Sequence, residues 1–579
     1  MKTKSITLLF LACASLGFAQ QKKSLWELVA SKNVPAMNKN SELPSEYLYK
    51  LDVAALEEVL SKAPLRTSDA LGKSSSIISL PDADGNLEKY TVYENPQMEP
   101  ALAEKYPEIK SYMAVGIDNP DSAVYFSISP LGFKSMALHA DKSAVFIEPY
   151  TQDLAFYSAY KKSDRKQSLS RFECKIAGQA ETAVQDNLAL RPNADDGKLR
   201  TFRLALSVTG EYTAYFGGTK ANALAAINNT MTRVNGIFGK DLGIKMVLIA
   251  NNDAIIYTNA ATDPYSPGNT GSAGAWNSEL QNTLNSVIGS GAYDVGHLFG
   301  ATGGGGNAGC IGCVCAAGKG SAFTSPGNGN PSGDYFDVDY VAHEFGHQFG
   351  GNHTFTYTNE GTGAQMEPGS GSTIMSYAGI TGTVNDIQSS ASPYFHAISI
   401  QQITNNVKAK TCPAVTATGN AVPTANAGLD YTIPKGTPFV LTGSATDANG
   451  DALTYCWEQM NVGEPSSTLP SPTRTTGPAF RSFPPSTSSK RYFPQLETVL
   501  AGATSTKWEA VPAVARTMNF RMTVRDNKAA GSSNNSDDMV VTVSGAAGPF
   551  SVTSPNTAVS YAGGSSQTVT WNVAGTTAN

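Results

Sequence analysis

Three rhythms of apolar and polar positions run along this chain. Between residues 21 and about 170, apolar residues gather in short runs such as Tyr90–Tyr93, Ala123–Ile128 and Ala144–Ile147. These are bounded by turn residues including Asp84-Gly85 and Pro130-Leu131-Gly132, and they predict β-strands. A short amphipathic stretch, Leu51–Leu60, precedes them. Nothing in this part carries catalytic chemistry. The stretch from Ile176 to Lys198 has no apolar period and contains Arg191-Pro192 and Asp195-Asp196-Gly197, the composition of an exposed, cleavable linker.

From Leu199 the period changes. Phe202, Leu204, Leu206 and Val208 alternate with polar neighbours as in a strand, then Leu224, Ile227, Met231, Val234 and Phe238 fall on one helical face. Ile244–Ile249 and Tyr293–Phe299 predict further strands, and Trp276, Leu280, Leu284 and Val287 a second helix. Helices packed on a sheet are therefore expected here. A Gly-rich, Cys-rich loop, Gly303–Gly320, leads out of this region. After Cys412 the helical period stops, and Tyr431–Ile433, Phe439–Leu441, Leu453–Trp457 and Met539–Val543 predict an antiparallel β-sandwich.

These shifts divide the chain into a leader at 1–19, a β-rich unit at 20–175, a linker at 176–198 and an α/β unit at 199–414. A β-sandwich at 420–546 follows, and 548–579 reads as the start of a further β domain, incomplete at Thr570-Trp571-Asn572-Val573. The leader has Lys2 and Lys4 before the apolar run Ile6–Ala14, and Gly17-Phe18-Ala19 before Gln20 suits signal-peptidase cleavage. Export is the expectation, with retention at the cell surface left open. No other stretch approaches the roughly 20 apolar residues of a spanning helix.

Composition narrows the class. An apolar content of 41% with 16% charged residues describes a globular rather than a disordered chain, and 54 Gly with 31 Pro point to many turns. A net charge of −6 offers no basic face for nucleic acid and no polybasic membrane anchor.

The chemistry is concentrated in His343-Glu344-Phe345-Gly346-His347-Gln348-Phe349-Gly350-Gly351-Asn352-His353. Half of the six histidines in the chain fall inside it. Residues four apart share a helix face, so His343 and His347 can offer ring nitrogens to one ion. A third ligand requires the chain to leave the helix and double back. Gly350 suits that reversal because it accepts a left-handed backbone at little cost, and His353 then closes the set. Three neutral imidazoles leave zinc one open position for a water whose pKa falls towards neutrality, and Glu344 is placed to act as its general base. A structural zinc site would be closed by a fourth protein ligand and would not need Glu344.

The motif, with Ser372-Thr373-Ile374-Met375-Ser376-Tyr377 after it, resembles the metzincin clan of zinc metallopeptidases. The region from about Leu199 to Cys412 is most similar to its reprolysin-like branch. The resemblance implies a multidomain protein with a β-rich prodomain, a mixed-sheet catalytic domain and a Met-turn at Met375 beneath the metal. It departs from that branch at Thr354 and Tyr377, where Asp and Pro are usual, and His353-Thr354-Phe355 is similar to the pappalysin-like branch. In other branches a Tyr at the position of Tyr377 approaches the metal, so Tyr377 is either a further ligand or oxyanion donor or a packing residue.

Six cysteines remain after the leader. Cys310, Cys313, Cys315 and Cys412 predict two disulfides, with three pairings open, and Cys456 has no evident mate. Cys174, just before the linker, is either a buried structural thiol or a latency residue. Its thiolate would take the water's position on zinc, as the resemblance to reprolysin precursors implies. The later β unit resembles the polycystic-kidney-disease and cadherin-like modules of bacterial exoenzymes. There Asp447, Asn449 and Asp451 read either as oxygen ligands for Ca2+ or as a plain turn, since a full calcium loop is not present. His297 and His396 read as structural, and His139 has no assigned role. The sequence thus predicts one catalytic Zn2+, protein or peptide substrates, and a secreted endopeptidase made as a latent precursor. The rival is an adhesin that uses the zinc fold as a scaffold; oligomeric state and cleavage preference are not legible.

Overall fold

The computed structural model describes residues 24–35, 42–67, 72–140, 142–165, 174, 195–463, 469–528 and 531–577. The expected leader and most of the expected linker lie outside them.

The N-terminal part builds one nine-stranded antiparallel sheet. Its strands are β1 (Trp26–Val29), β2 (Leu48–Leu51), β3 (Ile77–Pro81), β4 (Leu87–Glu94), β5 (Lys110–Gly116), β6 (Ala123–Ser129), β7 (Gly132–Leu138), β8 (Val145–Pro149) and β9 (Phe156–Lys161), in the order β1-β2-β9-β8-β7-β6-β5-β4-β3. Because side chains alternate along a strand, the sheet has two apolar faces. One, with Tyr112, Phe126, Ile147 and Tyr157, packs with Leu56 and Leu60 of helix α1 (Val53–Leu60), which Asp52 caps by accepting from the Ala55 amide. The other, with Met113, Tyr125, Phe146 and Tyr160, joins the same apolar cluster as Phe202, Ile227 and Phe349 of the following region.

That region is a mixed sheet. Strand β10 (Lys198–Val208) lies parallel to β11 (Ile244–Leu248) and β12 (Val295–Phe299). Strand β14 (Ala322–Ser325) runs parallel to β12, the edge strand β13 (Gly305–Asn307) is antiparallel to β14, and β15 (Ala414–Ala417) is antiparallel to β10. Helix α2 (Lys220–Leu242) begins at the Thr219 cap and ends at Gly243, whose φ is 62°. It lies between the two sheets. Its apolar face meets the mixed sheet as the sequence predicts, and its other face is also buried. Helix α3 (Trp276–Val287) packs Trp276, Leu280 and Leu284 on the sheet's far side. Helix α4 (Ala342–Phe349) carries the histidine motif, and α5 (Ala397–Lys408) packs beside it.

Beyond Cys412, strands β16 (Tyr431–Pro434), β18 (Thr454–Gln459), β20 (Arg516–Arg525) and β21 (Asn534–Ser544) form a four-stranded sheet. Strands β17 (Phe439–Thr442) and β19 (Lys490–Phe493) form a pair, and Leu441, Trp457, Phe480, Phe493 and Phe520 pack together between them. A last exposed pair joins Ser551–Ser554 to Thr570–Asn572. Among the described residues no helix is long and apolar enough to cross a membrane.

The four-stranded sheet is seated on the mixed-sheet unit through buried polar bonds. Arg525 donates to Asp241 at 2.7 Å and to the Phe395 carbonyl at 3.2 Å, the Ala397 amide donates to Glu458 at 2.8 Å, and the Tyr394 and Ser482 hydroxyls meet at 2.8 Å. The Ser482 carbonyl also accepts from Ser372, in the segment that carries Met375, at 3.3 Å. An Arg525→Met substitution would leave Asp241 buried without its counter-charge, and is expected to cost roughly 3–5 kcal/mol, measured as a lower urea midpoint.

Candidate metal centre

Helix α4 is wholly buried, and a wide-turn helical segment, Tyr335–Val341, feeds directly into it. The rings of His343 and His347 therefore leave one face one turn apart. The helix stops at Gly350, whose φ of 121° belongs to a backbone that side-chain-bearing residues avoid. The amides of Gly350 and Gly351 fold back onto the Gly346 carbonyl at 3.1 and 2.8 Å, and the chain returns to deliver His353.

The three Nε2 atoms converge, with separations of 3.1 Å (His343 to His347), 3.0 Å (His347 to His353) and 3.2 Å (His343 to His353). Tetrahedral zinc with bonds of about 2.0–2.1 Å needs ligand nitrogens about 3.3 Å apart, so the spacing fits a single ion. Each outer nitrogen has an acceptor. His343 Nδ1 donates to the Ile374 carbonyl at 2.7 Å, His347 Nδ1 to the Gly351 carbonyl at 2.7 Å, and His353 Nδ1 faces the Glu360 carboxylate at 2.9 and 3.0 Å. These bonds place the ring hydrogens on Nδ1 and point the Nε2 lone pairs inward. Burial and the neighbouring rings push His343 down to about 3 and His347 well below the usual range, which keeps them neutral, as ligands must be.

Glu344 lies beside this triangle. Among the described residues neither of its oxygens has a hydrogen-bond partner, although both are buried, and its carboxylate packs so tightly on Gly306 of β13 that a Cβ there would lie 2.0 Å from Oε1. Burial pushes the carboxyl up to about 8, partly countered by the nearby Cys174 thiol. Three inward-pointing lone pairs with a buried carboxylate beside them fit the donor set of a single cation.

Met375 packs against the motif helix, and its carbonyl accepts from the Thr354 amide at 3.1 Å. Its sulfur is so close to Gly346 that a Cβ on that residue would be 2.3 Å away, so the glycine inside the motif is the one that admits the Met side chain. Tyr377 stacks its ring edge against His353, with centroids 4.7 Å apart, and its hydroxyl donates to the Cys174 carbonyl at 3.1 Å. Cys174 forms a parallel bridge with Gly306, and its sulfur and the three imidazole ligand atoms all lie within 4.8 Å of one another.

The sequence singles out neither of two supporting carboxylates. Glu360 orients His353 from a polar loop seven residues on. Glu367 is fully buried and accepts from the Thr354 and Thr373 hydroxyls at 2.6 and 2.5 Å and from the Ser372 amide and hydroxyl at 2.8 and 3.0 Å, tying the third-ligand segment to the Met375 turn. The Cys-rich loop closes the far end of α4: the Gly312 and Val314 amides bond the His347 and Gln348 carbonyls at 2.8 and 3.1 Å. Disulfides Cys310–Cys313 and Cys315–Cys412 hold that loop, and Cys456 is buried and unpaired with another cysteine.

Away from the centre, His297 bonds Gln348 and Thr324, both at 2.8 Å, and His396 caps α5. The structure brings Asp447 and Asp451 together with Asp526. Asp447 accepts the Asn449 and Asp451 amides as in an Asx turn, Lys528 pairs with Asp451 at 2.7 Å, and the Asn449 side chain accepts from the Ala421 amide.

Glu360→Ala leaves His353 in place but removes its orienting acceptor. Zinc affinity is expected to fall about 10- to 100-fold, read by competition with a chromophoric chelator, with secondary structure unchanged.

No curated protein matches the chain. Residues 198–407, the stretch that contains the histidine triangle, the Met375 turn and the mixed sheet, match the family described as Metallo-peptidase family M12B Reprolysin-like, which supports a metzincin-type metallopeptidase.

Proposed function

We propose that the chain is an exported zinc endopeptidase, made as a latent precursor, that hydrolyses internal peptide bonds of extracellular proteins. The observation that carries this reading is the convergence of three imidazole nitrogens beside an otherwise unpartnered Glu344. The leader sequence supports export, and the family matched by residues 198–407 supports zinc and protein substrates.

Zinc, when bound by His343, His347 and His353, supplies Lewis acidity that lowers a water's pKa and polarises a carbonyl. Glu344 takes the proton of the attacking water and returns it to the departing amine, which its buried position next to His343 favours. The edge strand β13 offers Gly306 to an extended peptide, and a bridge to Gly306 is the contact that Cys174 already makes. The Tyr377 hydroxyl, which now holds the Cys174 carbonyl, would then be available to a substrate carbonyl oxygen.

The same geometry supports a latent precursor. A Cys174 thiolate would fill the fourth position on the metal and exclude the water, while its backbone covers the substrate edge. Burial raises the free thiol's pKa well above the usual range, and a metal would reverse this by taking the thiolate as ligand.

Glu344→Gln is expected to bind one zinc per chain and to lose roughly 10²–10⁴-fold or more in kcat on casein after the linker is cut. Activity within a few-fold of the unaltered enzyme would remove Glu344 from the reaction. Separately, Cys174→Ala should make the uncut chain active on a quenched peptide, and an equally silent uncut variant would remove the thiol from latency.

A further inference from the structure

We infer that the N-terminal sheet unit, residues 24–165, stays bound to the mixed-sheet unit after the linker is cut. The processed protein is then a complex of two pieces of this chain, and only the contact at Cys174 has to be given up to open the site. The inference rests on the proposed latency and linker cleavage, and it concerns a surface that this reading does not address: the outer face of helix α2.

That face is built for a partner rather than for water. Asn228 accepts from Ser111 at 3.0 Å, Asn229 from Ser127 at 3.1 Å, Thr232 donates to Ser111 at 3.0 Å, and Asn235 donates to Gln97 at 2.6 Å. Between them, the Tyr125 ring sits so close to Gly236 that a Cβ would be 2.6 Å from it. The backbone continues the match, with the Leu248 amide donating to the Gln97 carbonyl at 2.8 Å and the Glu99 amide to the Leu248 carbonyl at 2.9 Å. Apolar residues from both units form one continuous cluster, the pattern of an obligate interface that resembles a core cut in two.

Charge points the same way. The segment leading into the zinc helix carries Asp334, Asp337 and Asp339, all with buried carboxylates. Arg165 pairs with Asp334 and Lys162 with Asp339, both cations coming from the N-terminal unit. Arg233 of α2 bridges Asp337 at 2.8 Å to Glu148 of the N-terminal unit at 2.7 Å. Departure of the N-terminal unit would strip two of these acids of their counter-charges and leave Arg233 half paired, directly behind the metal ligands. Buried pairs are costly to break one-sidedly and are little screened by salt. Cys174, by comparison, holds the site through a backbone bridge to Gly306, the Tyr377 hydroxyl bond, a thiol contact with Glu344 and, in the latent form, its place on the metal.

The test places a recognition site for a sequence-specific protease within residues 176–194 of the full chain, loads the protein with zinc, and cuts it. Size-exclusion chromatography with light scattering, in low and in 1 M salt, then reports whether the two pieces travel together. Co-elution at the mass of the uncut chain in both buffers, with any peptidase activity in that peak, is the expected result. Separation at micromolar concentration in either buffer, or activity confined to a free fragment of the mixed-sheet unit, would overturn the inference. Because co-elution is read by mass, a chain inert toward peptides would count against the peptidase reading without touching this one.

Discussion

Three imidazole nitrogens held 3.0–3.2 Å apart, with their outer nitrogens facing acceptors, have the spacing of ligands around one cation, and much of the structure serves to keep them there. The helix sets the first two one turn apart, Gly350 turns the chain, and Ile374, Gly351 and Glu360 fix the outer nitrogens. Glu367 joins the two irregular segments that carry His353 and Met375, where no helix or strand could hold their register. The β unit beyond Cys412 reaches the same stretch from outside, where the Ser482 carbonyl accepts from Ser372. A site whose ligands come partly from loops needs such bracing, since a misplacement of about 1 Å is enough to lose a productive geometry.

Glu344 is buried with no counter-charge and only the Cys174 thiol near it, and burial pushes its carboxyl up to about 8. The neighbouring acids contrast with it. Asp334, Asp337 and Asp339 are equally buried yet all paired with cations, so the segment entering α4 is electrostatically closed while the next turn is left open.

Much of this was legible in the sequence. Period-2 alternation marked β10, short β-rich runs bounded by turn residues marked β6 and β8, and the apolar stripe Leu224 to Phe238 marked α2. The histidine spacing named the three rings that converge because a helix and a turn impose that spacing. The second face of α2 was not legible: Asn228, Asn229, Thr232, Arg233 and Asn235 carry no sequence signal of a partner, since a polar residue facing another protein surface has the same one-letter signature as one facing water. Glu360 and Glu367 escaped for a related reason, because each acts across a loop at a distance no backbone period fixes. The pairing of the four cysteines near the site was open in sequence and is set here by where the loop Cys310–Cys315 meets the end of α5.

The account stands or falls on one ion in one place. Crystals of the zinc-loaded chain, with an anomalous difference map collected across the zinc edge, test it most directly. The account predicts a single strong peak about 2.0–2.1 Å from the Nε2 atoms of His343, His347 and His353. A fully loaded protein whose anomalous peak lies elsewhere, or whose three rings point away from a common centre, would contradict it.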